Sequence, residues 1–350
     1  MEDYADLVIA EARARADAVG SMAVETVFIG GGTPSTVPAE TMQRLLDGVF
    51  RYFPPAGGAE FTGEANPGTL TKAWLDVMIG SGMNRLSLGM QAAQPELLRL
   101  LGRIHGMEDV HASVDMARAA GIRNLSLDLM FGIPDQTEAL WRESLEEAVA
   151  LEPEHLSCYG LIPEEGTPLK RSLDSGELSL PEEETERAMY DEAIRFLAFR
   201  GYAQYEISNF ARPGYACRHN IGYWRRVPYL GLGISAASML TTDGETALRQ
   251  TNPHTWEGYE AVIRTGRGRG EETVTGEDAR FETLMLGLRM NEGVSEAEYR
   301  RAFGEAITVR YGDRLESLRA RGLLLHEKGA WRLTRRGMDI QNSILVELMD

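Results

Sequence analysis

Residues 26–37, TVFIGGGTPSTV, set the terms on which the rest of the chain is read. Thr26–Ile29 have the β-branched and aromatic character of a buried strand, which runs into Gly30, Gly31, Gly32, Thr33 and Pro34. Consecutive glycines at a strand end let the backbone bend where other residues resist and let another group come close. The run is not a P-loop, which needs Gly-Lys-Ser/Thr after a gap, and it is not the G-x-G-x-x-G dinucleotide fingerprint. Alone, GGGTP is more often a plain tight turn. Its meaning depends on what the other strand ends carry.

Four further strands follow: EFTGEAN (60–66), RLSLGMQ (85–91), NLSLDLMFG (124–132) and HLSCYGL (155–161). Amphipathic stretches lie between them, such as AETMQRLLDGVFRYF (39–53), KAWLDVMIGSG (72–82), VHASVDMARAAG (110–121) and WRESLEEAVALE (141–152). A strand–helix unit repeated at about 30 residues predicts a parallel α/β sheet. Gly80, Gly82 and Gly121 fall where these helices should end. Past 161 the spacing predicts a helix over SLPEEETERAMYDEAIRFLAFRGY (179–202). Ser179 is its expected N-cap, Pro181 lies in its first turn, and Glu182–Glu184 sit beside the positive end of the dipole. AQYEISNFA (203–211) reads as one more strand. From about 270 come short helices, an apparent hairpin (LLLHEKGAWRLT, 323–334) and a last helix, which suggest a winged-helix-like, mainly helical C-terminal domain. The division expected is 1–240 and 241–350.

The chain has 350 residues, enough for one large domain and a small one. Its formal charge of −17 argues against nucleic acid as a partner, because phosphate binding relies on Lys and Arg. The basic run TGRGRG (265–270) reads as a solvated loop. No apolar run approaches the roughly 20 residues of a membrane span, and the acidic start is not a signal pattern, so a cytoplasmic protein is expected. A dimer is left open. Two cysteines, Cys158 and Cys217, are too few for a disulfide framework or a four-thiolate metal site.

In parallel α/β folds, ligands bind at the carboxyl ends of the strands. Those positions here carry Gly30–Pro34, Glu64 with Asn66, Gln91 and Asp128. A rim with a glycine turn, an amide and two carboxylates suits a ligand bearing an ammonium group and a ribose diol.

VFIGGGTPS, EFTGEANPGTL, RLSLGMQ, LGRIHG, NLSLDLMFGIPDQT and EEGTPL, in that order and spacing, resemble the oxygen-independent coproporphyrinogen oxidase family of radical S-adenosylmethionine proteins. The likeness is strongest to its heme chaperone branch and runs from about residue 4 to the C-terminus. It implies a partial, TIM-like (β/α) radical-SAM barrel. It also implies that Gly31, Gly32 and Thr33 meet the methionine amino group of S-adenosylmethionine, and that Glu64, Gln91, Arg103 and Asp128 make the remaining contacts. The family's C-x3-C-x2-C loop, whose thiolates bind a 4Fe–4S cluster, is not in this sequence. The expectation is therefore an N-terminally shortened member whose barrel lacks its first strand. A natural member that has lost its cluster is the alternative. Neither cluster nor radical cleavage chemistry is expected of this chain.

A second constellation lies in ACRHNIGYWRRVPYLGLG (216–233). HNIGYW matches the HNxxYW motif of the heme chaperone branch. His219 offers an axial ligand to heme iron, Tyr223 and Trp224 offer flat faces to a porphyrin, and Arg218, Arg225 and Arg226 offer cations to its propionates. Gly231 and Gly233 would let backbone approach. The plainer reading is a loop histidine bonded to backbone, with aromatics filling a gap between domains. Cys217 reads as a small half-buried residue, Cys158 as core, and His105 as a helix-terminal histidine. The resemblance implies a carrier that binds heme and passes it to acceptor hemoproteins. The enzyme alternative is oxidative decarboxylation of coproporphyrinogen III.

Overall fold

The computed structural model describes residues 1–20, 23–241 and 246–349. The chain opens with helix α1 (Glu2–Val19) and then alternates strand and helix: β1 (Val24–Ile29), α2 (Ala39–Phe50), β2 (Pro55–Ala65), α3 (Lys72–Gly80), β3 (Arg85–Gln91), α4 (Pro95–Leu100), α5 (Met107–Ala119), β4 (Asn124–Phe131), α6 (Glu138–Ala150) and β5 (His155–Gly160). Strands β1 to β5 are parallel and adjacent in sequence order, as the repeated unit predicts. After α7 (Pro168–Asp174) and α8 (Glu183–Phe199), strands β6 (Ala203–Gln204) and β7 (Asn209–Ala211) complete a seven-stranded sheet in the order β1-β2-β3-β4-β5-β7-β6.

The sheet has two chemically different faces because side chains alternate along each strand. Phe61, Leu86, Leu88, Leu125, Leu127, Leu129, Leu156 and Cys158 pack with Leu46, Trp74, Leu75, Met78, Val110, Trp141 and Leu145 of the flanking helices into the main core. Apart from Phe28, the intervening positions are largely polar, and the register aligns them: Glu64 with Ser87, Ser87 with Ser126, Ser126 with His155, and Asp128 with Ser157. A sheet that is apolar toward its helices and polar on its inner face is built to hold something polar there.

Beyond β7 come α9 (Arg218–Trp224) and a three-stranded antiparallel sheet of β8 (Ala237–Thr241), β9 (Ala247–Thr251) and β10 (Gly270–Val274), with α10 (Trp256–Thr265) between the last two. The C-terminal part holds α11 (Gly276–Gly287), β11 (Val294–Ser295), α12 (Glu296–Phe303), α13 (Ile307–Ala320), the hairpin β12 (Leu324–Glu327) and β13 (Ala330–Leu333), then α14 (Arg335–Asp339) and α15 (Gln341–Met349). Its residues form a second apolar cluster around Leu284, Leu315, Leu318 and Trp331. The expected hairpin and final helix are both present.

Three local expectations are corrected. Residues 203–211 form two strands, not one, because Glu206 folds back to accept from the Ser208 amide (2.8 Å) and the Asn209 side chain (2.6 Å), closing a turn. The N-cap position of helix α8 is Glu182, not Ser179, and its side chain makes no capping hydrogen bond. Leu180 precedes a proline and is pushed out of the helical region, so the helix starts only beyond Pro181. In TGRGRG, Arg269 is not solvated: its guanidinium pairs with buried Glu11 of α1 (3.0 Å) and with Asn252 (2.8 Å).

Candidate functional site

The strand-end residues converge on one rim. Gly31 and Gly32 have φ of 87° and 61°, in the left-handed region, and a side-chain carbon at either would meet nothing within 4 Å. They therefore border open space. The amide of Gly31 donates to Glu64 Oε2 (3.2 Å), and Asn66 Nδ2 donates to Thr33 Oγ1 (3.1 Å). Gln91, buried at the end of β3, holds a left-handed φ of 65°, a strained conformation of the kind that collects at ligand sites. Its amide lies over Gly89 beside Asn66 Oδ1. Ser87 donates to both oxygens of Asp128 (3.2 and 3.0 Å). Arg103 follows α4, in the segment where His105 is bonded to the Met90 carbonyl (3.2 Å); its Nε is buried without a partner.

Burial pushes the Glu64 carboxyl up, and nearby Asp128 adds to the rise against the pull of Arg85. Burial likewise raises Asp128, against hydrogen bonds from Ser157, Ser87 and Ser126 and the charge of Arg85. Two carboxyls raised by burial, next to open glycine backbone, fit a ligand that brings its own cation, as S-adenosylmethionine does.

His219 belongs to the same region. Helix α9 carries it against β1, where its ring stacks on Phe28 (5.0 Å between centroids, 22°). Nδ1 lies 2.9 Å from Thr26 Oγ1 and Nε2 lies 3.1 Å from the Tyr223 hydroxyl. A side-chain carbon on Gly30 would stand 2.7 Å from both Phe28 Cε1 and Glu64 Oε2. One phenylalanine thus separates the heme-motif histidine from the carboxylate of the strand-end rim, and the two constellations read separately along the sequence adjoin. Burial lowers the His219 pKa, which favours the neutral ring with a lone pair on one nitrogen.

The rest of the motif is spent differently from expectation. Arg218 donates to the Gly58 carbonyl (2.9 Å), Arg225 pairs with Glu292 (2.8 Å) and Arg226 with Glu282 (3.1 Å), so all three cations already have partners. Trp224 lies under the Arg289 guanidinium (4.4 Å) with its indole N–H buried and unpaired. At Gly233 the close neighbour is the Tyr4 hydroxyl and at Gly231 the Ala237 carbonyl; both glycines admit the protein's own atoms. His219 and half-exposed Tyr223 are the groups that fit heme.

The thiols do not fit a 4Fe–4S cluster. Cys158 and Cys217 are fully buried; burial pushes Cys158 far up and Cys217 to about 11, whereas cluster ligands must be thiolates. Cys217 faces Glu60 (3.5 Å). Among the described residues no group of three or more His, Cys, Asp or Glu is arranged to hold a metal.

Comparison with known proteins bears on family and fold. The radical SAM superfamily model matches residues 1–148 and the HemN C-terminal domain model residues 274–340. The heme chaperone HemW of Bacillus subtilis is 36% identical over 93% of this chain and 85% of that relative. The chain belongs to the HemW family. Escherichia coli HemW is also 36% identical, over 92% of this chain and 83% of its own length. Among solved structures, coproporphyrinogen III oxidase (HemN) from E. coli superposes with a TM-score of 0.81 over 99% of this chain and 82% of that one, at 23% identity, which establishes a shared radical-SAM fold. Against this HemW-family background, the sequence reading missed Thr26, Phe28, Glu60 and Arg85. Alternation along β1 and β2 puts the first three on the inner face with Glu64, which is the signal that would have found them.

Proposed function

We propose that this chain is a HemW-type heme carrier: it binds heme through His219, with Tyr223 against the ring, and passes it to acceptor hemoproteins. The observation that carries the reading is the imidazole of His219, neutral and half-buried on the inner face, with an exposed tyrosine as the sole cover of Nε2 among its hydrogen-bonding partners. The curated relatives named heme chaperones support it.

The adjoining rim is proposed to take S-adenosylmethionine. Gly31, Gly32 and Thr33 receive its amino-acid end, Glu64 and Asp128 complement its positive charge, and Gln91 and Arg103 complete the contacts. In radical SAM proteins that ligand supplies an adenosyl radical beside a cluster. The cysteines of this chain do not fit the cluster, so no radical step is assigned, and oxidative decarboxylation of coproporphyrinogen III is not the activity proposed. No helix among the described residues is long and apolar enough to cross a membrane, which accords with the cytoplasmic setting we propose.

Titration with hemin tests the carrier reading. The parent chain is expected to give a shifted Soret band that His219→Ala loses, with at least a tenfold drop in affinity. Identical spectra for the two would remove His219 from the site.

A further inference from the structure

Two strands hold the His219 ring from three directions. Thr26 Oγ1 meets Nδ1 at 2.9 Å, the Phe28 ring stacks below, and the carboxylate of Glu60 accepts the backbone amides of Arg218 and His219, both at 3.0 Å. Thr26 pairs with Glu60 across β1 and β2, so these groups share one rigid patch of the inner face. An imidazole whose Nδ1–H has an acceptor keeps its lone pair on Nε2. Here Nε2 points to the hydroxyl of Tyr223, a residue 38% exposed whose ring stands edge-on to His219 and to Tyr229. Metal-binding histidines commonly anchor their second nitrogen in this way, which fixes both tautomer and ring orientation.

Resting on the heme reading above, we propose that Thr26 is the positioning residue of the heme site: it accepts from His219 Nδ1–H and so presents Nε2 to the iron, while the Tyr223 hydroxyl covers Nε2 until heme arrives. On loading, the Tyr223 O–H···Nε2 hydrogen bond breaks, the Nε2 lone pair forms the bond to iron, and the hydroxyl keeps its proton and turns to solvent. The step needs neither oxidant nor reductant.

The test uses the full chain with hemin as probe, read by Soret titration and by the iron–histidine stretch in the resonance Raman spectrum of the ferrous complex. Thr26→Val removes the acceptor at nearly constant volume; it should weaken hemin binding about tenfold and lower the stretching frequency. Thr26→Ser should restore both. Tyr223→Phe keeps the ring and frees Nε2, so it should bind hemin about fivefold more tightly. A purely structural role for Thr26 would lower the melting temperature without moving the iron–histidine band. If Thr26→Val does not fold, Thr26→Ala provides the same comparison. A histidine-ligated parent whose Thr26→Val variant keeps both affinity and stretch overturns the role of Thr26 and leaves the heme reading standing. A His219→Ala variant indistinguishable from the parent overturns both. Weaker binding by Tyr223→Phe overturns the cover.

Discussion

Gly30 and its two successors are glycines for different reasons. Gly31 and Gly32 need left-handed backbone, whereas Gly30 is held small by Phe28 and Glu64, both 2.7 Å from where a side-chain carbon would stand. Gly30→Ala should therefore force those side chains apart, at a cost of about 1–3 kcal/mol. It should also weaken S-adenosylmethionine at the rim, visible together in a thermal melt and a calorimetric titration; a variant that melts and binds like the parent would show the rim to be slack. Asp128 gives a pH signature. Its folded-state pKa lies above the unfolded one, chiefly through burial, so the folded chain is penalised once the pH exceeds the unfolded pKa of about 3.9, and fully so above the folded value. Asp128→Asn should raise the melting temperature at pH 7, and the advantage should fade as the pH falls toward 4. An advantage that persists at pH 4 would mean that the carboxyl is not the source. Arg85 could not have been assigned from sequence: an arginine beginning a strand looks like a surface residue, yet it is 2% exposed and its charge reaches Glu64, Asp128 and His219.

Among elements, the glycine turn is steadied from outside the sheet. A short 3-10 turn, Pro34–Thr36, follows it, and the indole of buried Trp74 on α3 donates to the Pro34 carbonyl at 3.1 Å. Thr71 caps α3 by accepting from the Trp74 amide, so the helix start that fixes Trp74 also fixes the turn. Trp74→Phe keeps most of the packing but strands a buried carbonyl. It should cost about 1–3 kcal/mol and speed hydrogen exchange at residues 31–36; unchanged exchange there would dissociate α3 from the turn. The strands of the parallel series were legible because each is a short apolar run with its own helix. The 203–211 segment was not, since nothing in its composition reveals that Glu206 would turn inward to close a hairpin.

Across the whole molecule, α1 is tied to residues more than 200 positions away. Glu11, 1% exposed, accepts from the Gly233 amide (2.9 Å), Asn252 (2.9 Å), Tyr259 (2.7 Å) and Arg269 (3.0 Å). Removing one member of a buried ionic network leaves the others unpaired, so Glu11→Ala should cost about 3–5 kcal/mol, read as a lower urea midpoint; a shift below about 1 kcal/mol would mean the cluster reorganises freely. Periodicity and strand-end chemistry by themselves determined the parallel α/β class and the polar rim, because alternation and glycine placement are local properties of a chain. Tertiary structure alone brought His219 onto Phe28 beside the Gly30–Glu64 rim, engaged the motif arginines with protein partners and paired Arg269 with Glu11 of α1. Those outcomes depend on which distant segments share space, and a charge or an aromatic ring has no fixed role until its neighbours are known.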